Sequence, residues 1–326
     1  MKIIASLSLA FVLTFGAAMG ADPLSVVYDG KAGPGKGKHI VLMSGDEEYR
    51  SEEAMPMMGK ILSQRHGFKC TVLFSVDDKG IIKVENGASL TNAEALDSAD
   101  AIVMLLRFRH YPDDVRKHFT DAVKRGVPII GLRTSTHAFN DKELGNFGKN
   151  VLGEGWVNHW GGHKSEATKG IIEATAKDNP LLRGVSDIFG LTDVYEAYPA
   201  ADSTILVRGQ VLKGMEPTSP PADYKKKGKN GEQGVNDPMM PVAWSREVKN
   251  DAGKTNKILC TTMGASVDLK SDGLRRLVVN GVYWGLGIEV PAKADVTIVG
   301  DYQPSMYGFG GAKHDVKPSD FALPVE

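Results

Sequence analysis

Four short runs of almost uninterrupted apolar residues organise the first half of the chain: "HIVLMSG" (39–45), "FKCTVLFS" (68–75), "ADAIVMLLR" (99–107) and "VPIIGL" (127–132). Runs this short, without polar alternation and bounded by Gly or charged residues, are the pattern of strands covered on both faces. Between the first two lies "SEEAMPMMGKILSQRHG" (51–67), with helical spacing at Met57, Met58, Ile61 and Leu62, a start at Ser51 and a stop at Gly67. Between the last two lies "DDVRKHFTDAVKRG" (113–126), a helix ending at Gly126. Strands alternating with helices predict an α/β fold built on a doubly wound, mostly parallel sheet. Right-handed crossovers give the order 2-1-3-4, as in flavodoxin-like folds.

The second half predicts further strands at "STILVRG" (203–209), "MPVAWSRE" (240–247) and "NKILCTTMG" (256–264), some of them antiparallel, then a closing helix, "DGLRRLVVNGVYWGLG" (272–287). Residues 210–239 read as a polar loop, and 291–326 as a C-terminal tail packing on an α/β domain that spans 38–290. Residues 21–37 are a Gly- and Lys-rich lead-in. Lys2, the apolar stretch Ile3–Phe15 and the small residues around Ala18–Gly20 predict a signal peptide over residues 1–20. The expected location is therefore secreted or periplasmic, with no stable membrane insertion after cleavage.

A formal charge of −1 offers no basic face to nucleic acid. Cys70 and Cys260 sit in apolar strand-like runs and are expected as buried free thiols rather than a disulfide or a nucleophile.

Ligands of open parallel sheets bind outside the carboxyl ends of the strands, where strand order reverses. Three loops reach that edge. The first carries Glu47, Glu48 and Tyr49, the second Arg107, Arg109, His110 and Tyr111, the third Arg133, Ser135 and His137. Carboxylates, guanidinium groups and imidazoles together suit a polar small molecule and proton transfer near neutral pH. His137, His110 and Glu48 are the expected acid–base groups. Glu47, Tyr49, Arg107, Arg109, Arg133, Ser135, His159, His163, Trp160 and Tyr195 are the expected substrate-binding groups. The competing reading is an ion-pair network that ties the loops together.

"GWVNHWGGHKS" places His159 and His163 in a loop, since Gly161-Gly162 opposes a helix. Convergence of His110, His137, His159 and His163 with Glu48 on a divalent metal is an alternative, but no H-E-x-x-H or comparable motif appears. No metal or cofactor is assigned. Ser135 lacks an oriented base and an acid, so it or Thr136 is expected to cap a following helix.

The succession "HIVLMSGDEEYRSEE", "AIVMLLRFRHYP", "VPIIGLRTSTHAF", "WVNHWGGHKS", "NPLLRGVSDIFGLTDVYEAY", "NDPMMPVAWSRE", "NKILCTTMGAS" and "LRRLVVNGVYWGLG" resembles the ThuA-like (trehalose-utilisation) family, in its exported bacterial form, over residues 38–290. The "YGFGG" tail is similar to tails of those exported members. The resemblance implies a fold like that of class I glutamine amidotransferases, whose Cys nucleophile stands on the turn after a central strand. Arg133 or Thr134 occupies that turn here, so glutaminase activity is not expected. Many members end a late strand with Leu-Gly-His, whereas this chain has Met263-Gly264-Ala265. The resemblance implies a link to sugar metabolism, and the acid–base groups of the loops add the expected reaction: action on a sugar or modified glycoside, as a hydrolase or lyase-like enzyme. The alternative is a non-catalytic module that binds a carbohydrate or another small polar ligand.

Overall fold

A ten-stranded mixed sheet divides the molecule in two layers. The computed structural model describes residues 23–324, so the expected signal segment lies outside the described residues. The strands are β1 (Ser25–Tyr28), β2 (His39–Gly45), β3 (Lys69–Leu73), β4 (Ala101–Leu106), β5 (Ile129–Leu132), β6 (Asn158–His159), β7 (Thr168–Ile172), β8 (Phe189–Gly190), β9 (Tyr195–Glu196), β10 (Thr204–Val211), β11 (Lys225–Gly228), β12 (Gly231–Gly234), β13 (Met240–Lys249) and β14 (Thr255–Thr261). The α-helices are α1 (Ser51–His66), α2 (Asp113–Lys124) and α3 (Asp272–Leu286).

The order across the sheet is β1-β3-β2-β4-β5-β14-β13-β10-β7-β8. Its β3-β2-β4-β5 portion is the 2-1-3-4 order expected from the apolar runs, and β14 extends it in parallel. β13, β10, β7 and β8 complete the sheet as antiparallel additions. Alternate side chains of β2 enter opposite cores. Ile40 and Leu42 join Met55, Met58, Ile61 and Leu62 of α1 and Leu277, Val278 and Val282 of α3. Val41 and Met43 join Phe119 and Ala122 of α2, with Phe139, Phe147 and Trp244. Both faces are thus covered, which is why these strands read as continuous apolar runs.

Three expectations need correction. The lead-in contains β1, which pairs antiparallel with β3 and buries Val26 and Tyr28. The 210–239 loop contains the end of β10 and the β11–β12 hairpin, whose Lys and Gly residues hide it from a hydrophobicity reading. No α-helix follows the Arg133 turn. A 3-10 turn spans Arg133–His137, and the chain then folds back until Gly148 lies on the Thr136 carbonyl, where an ideal Cβ would come within 1.8 Å of that oxygen. No described helix is long and apolar enough to cross a membrane.

Cys70 and Cys260 are both buried and free. They lie on β3 and β14, four strand spacings of about 4.8 Å apart, far beyond disulfide reach. Burial raises both thiols above their ordinary range. Neither is expected to react with a thiol reagent in the native protein, and both should react once denaturant unfolds it. A rapid native reaction at either thiol would contradict this placement.

Candidate functional site

The loops at the carboxyl ends of β2, β4 and β5 meet above the sheet. After β2, the Asp46 carboxylate accepts the backbone N–H groups of Glu48 and Tyr49 and the hydroxyl of Thr134. This local turn, tied to the loop after β5, projects Glu48 and Tyr49 away from the sheet. After β5, Arg133 takes a left-handed backbone conformation with φ 44°. An L-residue pays strain to stand there.

The Arg133 side chain is fully buried. One guanidinium nitrogen donates to the carbonyls of Asp193 (2.7 Å) and Thr262 (2.8 Å). The other donates to Asp193 Oδ1 (2.8 Å) and Tyr49 Oη (3.2 Å). The guanidinium carbon lies 3.7 Å from the ring centroid of Tyr195 and 4.7 Å from that of Tyr49. Arg133 is therefore a clamp on Asp193, held between two aromatic faces, and is not open to a substrate.

Asp193 is the hub. Burial alone would raise its carboxyl, but the Arg133 charge and hydrogen bonds with His159 and His163 hold it well below the usual carboxylate range. His159 Nδ1 lies 2.7 Å from Asp193 Oδ2, and His163 Nδ1 lies 3.0 Å from Oδ1. His163 Nε2 lies 3.2 Å from Glu48 Oε1. Both histidines are partly exposed, whereas Asp193 and Glu48 are buried. His159 is carried by β6, which pairs with β9 so that His159 stands opposite Tyr195. Lys226 braces the loop by donating to the carbonyls of His159 and Trp160. One donor atom from each of His159, His163 and Asp193 lies within 4.8 Å of the other two.

An aromatic rim borders the cluster. Trp156 is exposed, with its ring 4.9 Å from that of His159 and 5.0 Å from that of His137. Phe108, also exposed, lies 5.0 Å from His137. Arg107 stands over Phe108 and over Phe309 of the tail. The tail also stacks Tyr307 on Tyr49 at 5.2 Å and sets it 5.7 Å from His163. The Gly308 N–H donates to the Glu48 carbonyl, and Arg50 donates to the Gly308 carbonyl. A separate cavity of about 370 Å³, lined by Val123, Phe147, Val151 and Asn250, lies by the amino end of β14, away from this edge.

Glu48, Arg133, His137, His159, His163, Tyr49 and Tyr195 thus belong to one contiguous network. Other expected site residues take different places. Burial first, then the charges of Arg107 and Arg133, push His137 down to about 3, which favours its neutral form, and its ring packs between Phe108 and Trp156. His110 is exposed and its ring lies against Gly87, with no recorded contact to the cluster among the described residues. Glu47 binds Arg107 and Arg109 together. Arg109 is buried and also donates to the Val84 carbonyl, so it secures loops, while Arg107 stays partly exposed at the rim. Ser135 is buried and donates to the Met104 carbonyl, linking β4 to β5, and it caps nothing. Trp160 is fully buried, with its indole donating to the Val235 carbonyl, and Trp156 is the tryptophan at the mouth. The loop reading does not pick out Asp193, Trp156 or Tyr307. The missed signal for Asp193 is chemical: two clustered imidazoles need an acceptor, and Asp193 stands two residues before Tyr195.

The family model for ThuA, described as trehalose utilisation, matches residues 39–285. A putative ThuA-like protein from Parabacteroides merdae superposes with a TM-score of 0.52 at 12% identity, covering 89% of this chain and 100% of that one. A putative ThuA-like protein from Bacteroides uniformis gives a TM-score of 0.48 at 16% identity, covering 79% and 94% respectively. No curated protein matches the chain.

Proposed function

The chain belongs to the ThuA family, and from that premise we propose that it acts on a sugar or modified glycoside at the mouth formed by Glu48, His159 and His163. The observation that carries this reading is two partly exposed imidazoles fixed on one buried carboxylate and bordered by exposed aromatic rings. Asp193 orients both rings, as a buried acid orients the imidazole of a hydrolytic triad. Glu48 supplies a second carboxylate, in contact with His163. Trp156 and Phe108 offer apolar faces to the C–H surface of a sugar ring, while Arg107 offers donors to its oxygens. Arg133 or Thr134 occupies the turn where the resemblance places an amidotransferase nucleophile, and neither is a cysteine, so glutamine hydrolysis is not part of the proposal. Export through residues 1–20 belongs to the same proposal, and N-terminal sequencing of the protein recovered from cell fractions tests it.

The decisive experiment is a turnover panel of trehalose, glucosides and 3-keto-glycosides. Glu48→Gln and His163→Gln are expected to lower kcat by about 100-fold or more, the usual range for losing an acid–base group. Trp156→Ala is expected to raise KM several-fold with kcat less affected. A sugar that binds with no turnover by the wild-type protein would replace the enzyme with a carbohydrate-binding module. The internal pairing of Arg133, Arg109 and Glu47 favours that second reading, because it withdraws three charged groups from the ligand.

A further inference from the structure

We propose that His159, His163 and Asp193 form a binding site for one divalent first-row transition-metal ion, with Glu48 and Arg133 as its outer supports. The proposal deepens the reading of the same mouth as the functional site and rests on it only for its biological purpose.

The argument starts from His163, which faces a carboxylate on each side. Its Nε2 lies 3.2 Å from Glu48 Oε1 and its Nδ1 lies 3.0 Å from Asp193 Oδ1. Only the Nδ1 contact is a hydrogen bond, so this is the nitrogen aimed at Asp193. In a neutral ring with its proton on Nε2, the Nδ1 lone pair is available to an ion held jointly with Asp193. Glu48, beside Nε2, is then an outer carboxylate next to the ligating ring.

His159 strengthens the case. Its Nδ1 lies 2.7 Å from the other Asp193 oxygen, so two imidazoles and one carboxylate present donors to a common space. With metal–nitrogen and metal–oxygen bonds of about 2.0–2.2 Å, small rotations of the two rings admit an ion. Arg133 does not compete for the position. It donates to Oδ1 and to the Asp193 backbone carbonyl, and so fixes the carboxylate from the buried side. Two carboxyl groups, Glu48 and Asp193, stand against one guanidinium, Arg133, so acidic groups are in excess at the cluster. Two nitrogens with one oxygen suit zinc, iron, cobalt or nickel, and do not suit magnesium or calcium, which prefer all-oxygen shells. The partial exposure of both rings leaves an entry path from solvent.

The test uses the full chain, freed of any affinity tag and stripped with a chelator. Zinc is titrated calorimetrically, and cobalt by visible absorbance with Trp156 emission followed in parallel. The expected result is one ion per chain, a cobalt spectrum of low-symmetry nitrogen–oxygen coordination, and quenching of Trp156, whose ring is 4.9 Å from that of His159. His159→Gln and His163→Gln are each expected to weaken binding at least about 100-fold, and Glu48→Gln about tenfold, as for an outer partner. Circular dichroism confirms that each variant is folded, and the two partly exposed histidines are the substitutions least able to disturb the core. Absence of stoichiometric uptake by the wild-type protein would overturn the proposal. Uptake that is unchanged in both histidine variants would overturn it as well, since the ion would then sit elsewhere. Ion binding without turnover of any sugar would leave this site standing and remove the enzymatic reading. Sugar turnover by a protein that takes up no ion would do the reverse.

Discussion

Replacing Arg133 with methionine is expected to destabilise the protein by about 3–5 kcal/mol, the usual consequence of leaving one partner of a buried ion pair alone. Asp193 is fully buried, and Arg133 is its only guanidinium partner among the described residues. Without Arg133, Asp193 either keeps a charge in a dry site or takes up a proton and loses the shape of its hydrogen bonds to His159 and His163. Arg133→Lys should recover little, because an ammonium cannot reproduce the fork that grips the Asp193 carboxylate and two backbone carbonyls together. Arg133→Met combined with Asp193→Leu should be more stable than Arg133→Met alone, since it removes the stranded charge while keeping the volume. Urea denaturation checks all three, with the midpoint expected to move and the slope to stay constant. A loss below about 1 kcal/mol for Arg133→Met would mean that the clamp is not what holds this edge of the sheet.

The second large effect concerns Glu52, in the first turn of α1. The residue is buried, and neither carboxylate oxygen has a hydrogen-bond partner. It lines a narrow space with Ile82, Ala312, Val316 and Phe321. Burial pushes its carboxyl up to about 8, opposed by its own backbone N–H and the charge of Arg50, with the charges of Glu53 and Asp46 adding to the rise. The folded protein thus keeps this proton while the unfolded chain releases it near its ordinary value of 4.5. Between these two values the folded state binds the extra proton, so stability falls as pH rises, by about 1.4 kcal/mol per unit. The contribution is most favourable below the unfolded pKa and levels off above about 8. Glu52→Gln carries no ionisable proton there. It is expected to flatten this part of the profile and to exceed the wild type in stability at pH 9 by several kcal/mol, while differing little at pH 4. Melting temperatures of both proteins across that range test it. Parallel curves would contradict the burial of an unpaired carboxyl.

The parts of the fold that the chain announces are those in which one physical demand dominates a local stretch. β2, β3, β4 and β5 are covered on both faces, so nearly all of their central positions are apolar, and the order of the four follows from right-handed crossovers. β1 escapes notice because it is an edge strand of four residues in a glycine-rich context, with Val27 turned to solvent. β6 and β9 have two residues each, too few to show any period, yet they place His159 beside Tyr195. The loops that form the site were legible from the switch-point rule, but the roles within them were not. Arg133 reads like a substrate ligand until Asp193, 60 residues later, is seen to bury it. Trp156 and Trp160 are indistinguishable in a glycine-rich loop, because only the distant Val235 carbonyl determines which indole turns inward. His137 has the residue type of a proton carrier, but burial and two nearby arginines favour its neutral form.

The tail has a consequence for how such proteins diversify. The family match ends at residue 285, while Tyr307 and Phe309, which cover part of the mouth, come from beyond it. The rim around the His159–His163 cluster is therefore completed by a segment outside the family match, while the cluster itself lies inside it. A relative with a different peptide here would keep Glu48, His159, His163 and Asp193 and border them with different side chains.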